Sequence, residues 1–136
     1  MRADTFGSVP GVTFVGDPKY PRNSGGSLPI TGQSVQGFSG IVLLGGNQFL
    51  ALTDNGFGSK INSQDALLMV HRVTADWSLG TVTRQHTTFL SDPDRKVPFF
   101  IQNENTTARY LTGSDFDPES IQVVGNEWWI GDEFGP

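Results

Sequence analysis

Short apolar runs alternate with turn-forming residues between positions 38 and 90. The runs "FSGIVLL" and "QFLALTD" are separated by a "GGN" turn, and "DALLMVHRV" and "TVTRQHTTFL" follow, joined by a turn at "TADWSLG". Short apolar runs bounded by Gly, Asn, Asp and Ser are typical of buried β-strands connected by tight turns. The pattern therefore predicts four consecutive antiparallel strands.

A helix competes with a strand over "SQDALLMVHRV". Ser63 is a suitable N-cap, and the leucines and Met69 favour helices. The short length of the apolar run and the turn signals on both sides favour the strand.

Two other regions have a different pattern. Residues 1–37 contain one predicted strand, "GVTFVG", and are otherwise interrupted so often by Pro and Gly that loops are expected. The segment "SDPDRKVPFFIQNENTTARYLTG" is predicted to be a long connection, and connections of that length are often functional.

The sequence contains an internal repeat. "SGIVLLGGNQFLALTDNGFG" and "ESIQVVGNEWWIGDEFG" both run from Ile through an apolar stretch, a Gly-Asn turn and an aromatic residue to Asp and Gly. Their spacing of about 80 residues exceeds the roughly 40 to 50 of a propeller blade, and the long connection accounts for the excess. One four-stranded unit followed by the first hairpin of the next predicts an all-β, β-propeller-like fold.

The last predicted strand would leave an apolar sheet edge unpaired, which native sheets avoid. We therefore expect the chain to be a fragment of a longer propeller. A complete β-sandwich of six or seven strands is the alternative.

Charge and composition narrow the possible partners. The formal net charge of −5 and the pI near 4.7 disfavour nucleic acid and anionic membrane surfaces as partners and favour cations. The absence of cysteine excludes disulfides and thiolate zinc sites. No apolar run approaches the roughly 20 residues of a membrane span.

The stretch "GSDFDPES" places Asp115, Asp117 and Glu119 immediately before the apolar run "IQVV". In an antiparallel hairpin the start of the first strand lies beside the end of the second, so Glu119 is expected to neighbour Asp132 and Glu133. Five acids are thus predicted to converge at one end of one hairpin.

The earlier hairpin places Asp54 and Asn55 near Ser39 in the same way. If the two units are adjacent blades, both hairpin ends lie on one face of the propeller. Clustered carboxylates repel one another unless a cation lies between them or some are protonated. Oxygen ligands suit Ca²⁺ or Mg²⁺, although Asp and Ser before a strand also often cap turns.

Histidine and tryptophan give weaker signals. His71 and His86 lie in the middle of predicted strands, remote from the acids, and are interpreted as ordinary strand residues. Trp128 and Trp129 are adjacent in a strand and must face opposite sides. One is expected in the core, and the other is expected to line a pocket or to face a neighbouring blade.

The segments "GFSGI", "FLALTDNGFGSK", "GSDFDPESI" and "EWWIGDEFGP" together resemble the phytase-like domain family described as "esterase-like activity of phytase", from about Phe38 to Pro136. The resemblance implies a β-propeller, a phosphoester or ester hydrolase, and a secreted or periplasmic location. It divides the chain into an N-terminal lead-in, residues 1–37, and a partial phytase-like domain, residues 38–136. Domains of this family are longer than this chain, which agrees with the expectation of a fragment.

If the family function holds, the hairpin geometry alone suggests roles for the acids. A divalent cation, Ca²⁺ in preference to Mg²⁺, is expected at Asp117, Glu119 and Asp132 with Asp54, where it would activate water or neutralise a substrate phosphate. Asp115 or Glu133 is the expected general base.

Two further hypotheses remain open. In one, the domain is a non-catalytic binding or assembly module whose exposed strand edges pair with the remainder of the propeller or with a second copy. In the other, the acids only cap turns, and no ion binds.

Overall fold

The computed structural model describes residues 5–6, 33–35 and 37–134. This part of the chain is all-β, with a single 3-10 turn at Lys60–Asn62. None of the described residues belongs to a helix that is long and apolar enough to cross a membrane. The strands are β1 Thr5–Phe6, β2 Gln33–Ser34, β3 Phe38–Gly45, β4 Gln48–Thr53, β5 Met69–Asp76, β6 Thr81–Phe89, β7 Pro118–Val124 and β8 Glu127–Asp132.

The strands form three antiparallel sheets. β1 pairs with β2, β3–β4–β5–β6 form a four-stranded meander, and β7 pairs with β8. The four consecutive strands and the later hairpin predicted from the sequence are confirmed. The helical alternative for "SQDALLMVHRV" is wrong, because this segment enters β5 at Met69. The predicted strand "GVTFVG" lies outside the described residues.

The turn between β3 and β4 shows why the two strands reverse where they do. Gly45, Gly46 and Asn47 have φ angles of 117°, 53° and 26°. Glycine and asparagine adopt such left-handed conformations at low cost, and tight hairpins with the natural strand twist need them. The "GGN" turn signal therefore works through backbone conformation.

The core lies between one face of the four-stranded sheet and the β7–β8 hairpin. Leu50, Leu52, Val70 and Ile121 form its buried cluster. Gly40 permits the close approach of β3 and β7, because a Cβ atom there would lie 3.0 Å from Ile121 Cγ2 and 3.2 Å from the Ile121 backbone nitrogen. The two sheets are thus packed together through a position that only glycine fills without adjustment.

The opposite face of the four-stranded sheet, called the open face below, carries apolar side chains that no described residue covers. A cavity of about 500 Å³ lies on it, lined by Phe38, Ser39, Gly40, Ile41, Phe49, Ala51, Val73, Ala75, Trp77 and Val82. His71 is fully buried beneath this face, with the ring of Phe38 edge-on to it at 5.6 Å. Burial, assisted by the charge of Arg84, lowers the pKa of His71 to about 4.

The long connection between β6 and β7 is confirmed. It contains only isolated bridges, in which Leu67 pairs with Thr112 and Ser91 pairs with Tyr110. A buried ion-pair network of Arg109 with Asp92 and Glu104 holds this connection together.

The Arg109 side chain is 2% exposed and donates from Nε to the Asp92 carbonyl at 2.9 Å and from Nη2 to Asp92 Oδ2 at 3.0 Å. Glu104 pairs with its third nitrogen, Nη1. Burial opposes ionisation of Asp92, but hydrogen bonds from the Lys96 backbone and from Arg109 outweigh it, and the pKa of Asp92 is lowered. Buried charges held this way fix the shape of an otherwise irregular segment.

The two adjacent tryptophans differ from the prediction in burial. Trp128 lines a cavity with Leu50 and Val70, while Trp129 donates its Nε1 to Glu127 at 3.2 Å. Trp128 is 39% exposed and Trp129 is 62% exposed, so the expectation of a core tryptophan is wrong. Ile121 occupies the centre of the sheet contact instead, and Trp128 lies at its margin.

Candidate metal centre

Hairpins β3–β4 and β7–β8 pair in the same register. In β7–β8, Pro118 pairs with Asp132 and Ser120 with Gly131, and a bulge lies between Pro118 and Ser120. In β3–β4 the partners are Phe38 with Thr53 and Gly40 with Leu52, with the bulge at the same place. The internal repeat in the sequence is therefore a repeat in structure.

The register corrects the alignment of the repeat by one residue at its end. The Asp54 backbone nitrogen donates to the Gly37 carbonyl at 2.7 Å, and that of Glu133 donates to the Asp117 carbonyl at 3.0 Å. Asp54 thus corresponds to Glu133, whereas the sequence pattern matched it with Asp132.

Three carboxylates meet at the open end of the second hairpin. Asp117, Glu119 and Glu133, the acidic triad, each offer one oxygen, and these oxygens lie within 4.8 Å of one another. Asp117 is buried and the two glutamates are exposed. Glu119 lies in the bulge, which is a common device for redirecting a side chain at the edge of a sheet.

Asp132 supports this cluster from the neighbouring position. Its Oδ1 accepts a hydrogen bond from the Asp117 backbone nitrogen at 2.5 Å. The structure therefore places Asp132 where it orients the segment that carries Asp117.

Asp54 reaches the cluster from the first hairpin. Burial raises its pKa, a hydrogen bond from the Gly56 backbone opposes that effect, and the negative charges of Asp117 and Glu119 raise the pKa further. Asp54 is therefore close enough to Asp117 and Glu119 for their charges to affect its ionisation.

Asn55 is the residue that joins the two halves of the site. Its backbone nitrogen donates to Asp117 Oδ1 at 3.1 Å, and its Nδ2 donates to Asp117 Oδ2 at 2.7 Å. Its own Oδ1 accepts hydrogen bonds from the backbone nitrogens of Phe57 and Gly58. The sequence placed Asn55 near this end but gave no sign that it would hold Asp117, 62 residues away.

The Asp115 carboxylate makes its hydrogen bonds outside the acidic triad. It is buried, and its carboxylate accepts hydrogen bonds from the Gln102 backbone at 2.8 Å and from the backbone and hydroxyl of Thr112 at 2.8 and 3.0 Å. The structure therefore does not bring Asp115 into the triad, and its assignment as a general base stays a prediction.

The donor set suits a hard divalent cation. Carboxylate oxygens bind Ca²⁺ at about 2.3–2.6 Å, so two ligand atoms on one ion lie up to about 5 Å apart. The spacing within the acidic triad fits this limit. The described part of the chain brings no histidine into this group.

One comparison with known protein families gives a match. The family model "Phytase-like: Esterase-like activity of phytase" matches residues 33–136. No curated protein and no solved structure gives a significant match. The family match spans more than half of the chain and contains every acid of the candidate site. The chain therefore belongs to the phytase-like family described as "esterase-like activity of phytase".

Proposed function

We propose that this chain is a metal-dependent, hydrolase-like domain that acts on phosphoesters or other esters. The observation that carries the proposal is the acidic triad, whose three carboxylate oxygens lie within 4.8 Å of one another. Membership of a family named for esterase-like activity supports the choice of reaction. Ca²⁺ is the preferred cation, and Mg²⁺ is the second choice.

The ligands proposed from the geometry are Asp117, Glu119 and Glu133. Asp54 lies beside them, and Asp132 holds the Asp117 backbone. This assignment moves Glu133 from the base predicted from the sequence to the ligand set. It also moves Asp54 and Asp132, which the sequence predicted as ligands, to positions beside the ligand set. Asn55 orients both oxygens of Asp117, which leaves their remaining lone pairs for the cation.

A bound divalent cation would lower the pKa of a water molecule and neutralise charge on a phosphate or acyl oxygen. The protein would position that water and take up its proton. Asp54 suits the proton-accepting role because it lies beside the triad, whereas the oxygens of Asp115 already accept three hydrogen bonds.

A positive group from the same end supports an anionic substrate. Lys60, in the 3-10 turn that follows Asp54, places its ammonium group 4.6 Å from the ring centre of Phe134, the residue after Glu133. A phosphoester would bring negative charge to this end of the molecule. We therefore place phosphoesters ahead of neutral esters as the substrate class.

The propeller organisation is also a proposal. The two sheets pack face to face, with equivalent hairpins in contact through β3 and β7. Neighbouring propeller blades have this arrangement. We propose it for residues 38–136, within a longer propeller in the secreted or periplasmic space.

Calcium titration by calorimetry tests the proposal on the full chain, with mass and oligomeric state measured on the same sample. We expect an affinity on the order of micromolar, within the range of protein Ca²⁺ sites, and at least about a tenfold loss in Glu119→Gln. Glu127→Gln is the matched control, since Glu127 is an exposed acid at the other end of the same hairpin.

Binding that Glu119→Gln leaves unchanged, or no binding to a folded sample, would contradict the metal centre. If binding is confirmed, phosphomonoester and carboxylic ester substrates should be compared with and without Ca²⁺. Turnover that ignores both the cation and Glu119 would reject the metal-dependent mechanism.

A second candidate function is a non-catalytic binding or assembly module. The observation that favours it is the open face, which exposes large apolar side chains over a cavity of about 500 Å³. Soluble proteins seldom leave such a surface uncovered without a binding role.

A further inference from the structure

The segment that ends the long connection carries the proposed ligand Asp117 and also folds into a turn. Asp115 is buried, and its Oδ2 accepts hydrogen bonds from the backbone nitrogen and the hydroxyl of Thr112 at 2.8 and 3.0 Å. The backbone nitrogens of Asp115 and Phe116 donate in return to the Thr112 carbonyl at 2.9 and 3.2 Å. The carboxylate of Asp115 thus fixes the shape of the turn just before the chain enters β7.

Gly113 lies in this turn and contacts the loop that follows β4. Its backbone nitrogen donates to the Ala66 carbonyl at 2.8 Å. A Cβ atom at Gly113 would overlap the Asn55 carbonyl oxygen and would lie 2.6 Å from the carbonyl carbon and 2.7 Å from the Cα atom of Asn55. Gly113 does not have a positive φ angle, so glycine is needed here for space and not for its backbone conformation. Any side chain at this position would displace the loop that carries Asn55.

The loop that Gly113 contacts is the one that holds Asp117. Asn55 donates to both carboxylate oxygens of Asp117, at 3.1 Å from its backbone nitrogen and at 2.7 Å from Nδ2. The Asn55 side chain is fixed in this orientation, because its Oδ1 accepts two hydrogen bonds from backbone nitrogens of the same loop. The orientation of Asp117 therefore depends on the position of Asn55, and the position of Asn55 depends on Gly113.

We propose that Gly113 and Asp115 are positioning residues of the candidate metal centre and that they act on Asp117 through Asn55. The consequence for cation affinity rests on the function proposed above. This gives Asp115 a role different from the general base that the sequence predicts. Groups that orient metal ligands from outside the ligand set typically change metal affinity by about 10–100-fold when they are replaced. The long connection between β6 and β7 thus sets the affinity of the site although it supplies few of its ligands.

Calcium titration of the full chain by calorimetry tests the consequence for affinity. Gly113→Ala should weaken Ca²⁺ binding by about 10–100-fold, because the displaced Asn55 no longer orients Asp117. Asp115→Asn should act in the same direction, since an amide nitrogen cannot accept the hydrogen bonds that a carboxylate oxygen accepts. Ser114→Ala is the matched control from the same turn and should leave the affinity unchanged, because the Ser114 hydroxyl is bonded to the exposed side chain of Gln102.

Two further measurements separate positioning from a loss of stability. The luminescence lifetime of Eu³⁺ in H₂O and D₂O counts the water molecules on the bound ion, and this count should rise in Gly113→Ala because water replaces the Asp117 ligand. In cation-free buffer, exchange of the Asn55 backbone amide, followed by NMR relative to the amides of β4, reports its bond to Asp117. Gly113→Ala and Asp117→Ala should each accelerate this exchange by about tenfold or more, and Glu119→Gln should not.

A folded Gly113→Ala variant with the wild-type Ca²⁺ affinity and the wild-type number of bound waters would overturn the proposal. Unchanged exchange of the Asn55 amide in this variant would overturn it as well. If Gly113→Ala does not fold, Asp115→Asn carries the same measurements. A folded wild-type protein that binds no cation would reject the proposed function, and the amide exchange would then decide by itself whether Gly113 positions Asp117. The two failures are therefore distinguishable.

Discussion

Hairpins β3–β4 and β7–β8 pair in the same register, with a bulge at the same place, yet only the second carries a cluster of carboxylates at its open end. Where the second hairpin has Asp117, Glu119 and Asp132, the first has Gly37, Ser39 and Thr53. The strand pairing of the two hairpins therefore does not depend on which side chains occupy their ends. A few substitutions at the strand ends convert an ordinary hairpin end into a candidate cation site.

The hairpins differ in packing as well. The face that contains Ile121 is buried against the four-stranded sheet, whereas the face that contains Ile41 is open. One sequence position is thus buried in the core in one hairpin and exposed in the other.

Replacing the two equivalent isoleucines is the most direct way to test this difference. Ile121→Ala should lower the free energy of unfolding by about 3 kcal/mol, because it leaves a cavity in the core. Ile41→Ala should cost less than about 1 kcal/mol, since its side chain is exposed. Urea denaturation measures both losses of stability, and similar losses would show that the two isoleucines are equally buried.

The glycine at the sheet contact provides a second test. Gly40→Ala should destabilise the protein by about 1–3 kcal/mol, because the new Cβ would press on the Ile121 side chain and backbone. Ser120 is the equivalent position in the second hairpin and is exposed, so Ser120→Ala should have almost no effect. A neutral Gly40→Ala in thermal denaturation would mean that the two sheets are not closely packed.

The smallest expected effect on stability comes from replacing Asp54, the acid that the first hairpin contributes to the site. The pKa of Asp54 is raised in the folded protein, so folding favours its protonated form, and stability is lost as the pH rises through its folded pKa. In cation-free buffer Asp54→Asn should therefore stabilise the protein at neutral pH, by less than about 1 kcal/mol because solvent screens this partly exposed group.

The gain from Asp54→Asn should disappear at pH values below the ordinary pKa of an aspartate. Saturating Ca²⁺ should reduce or reverse the gain at neutral pH, since the cation then compensates the charge. Melting temperatures measured across pH, with and without Ca²⁺, check both expectations. An equal gain at low and neutral pH would show that charge repulsion is not its cause.

Local signals were enough to predict the strands. The "GGN" turn and the short apolar runs on either side predict β3 and β4, because tight turns and alternate burial are properties of neighbouring residues. The hairpin pairing also predicted that Glu119 and Glu133 would be neighbours. Sequence patterns of this kind depend on contacts a few residues apart.

The remaining features depend on contacts between distant parts of the chain. Asn55 holds Asp117 across 62 residues, and Arg109 organises the connection by pairing with Asp92 and Glu104. The three bonds that direct Asp115 to Gln102 and Thr112 depend on the same folded connection. Such contacts leave no periodic pattern in the sequence. The sequence analysis therefore placed Asp115 with the other four acids, whereas its carboxylate is bonded to Gln102 and Thr112.

The bond between Asn55 and Asp117 has a consequence for the order of folding. Each hairpin is local and closes quickly, but joining residues so far apart in the sequence requires closure of a large loop with a high entropy cost. The cluster of acids can therefore be complete only after both hairpins have formed and docked. If the proposed cation site binds a lanthanide, its signal in a refolding experiment should return after the circular dichroism of the strands.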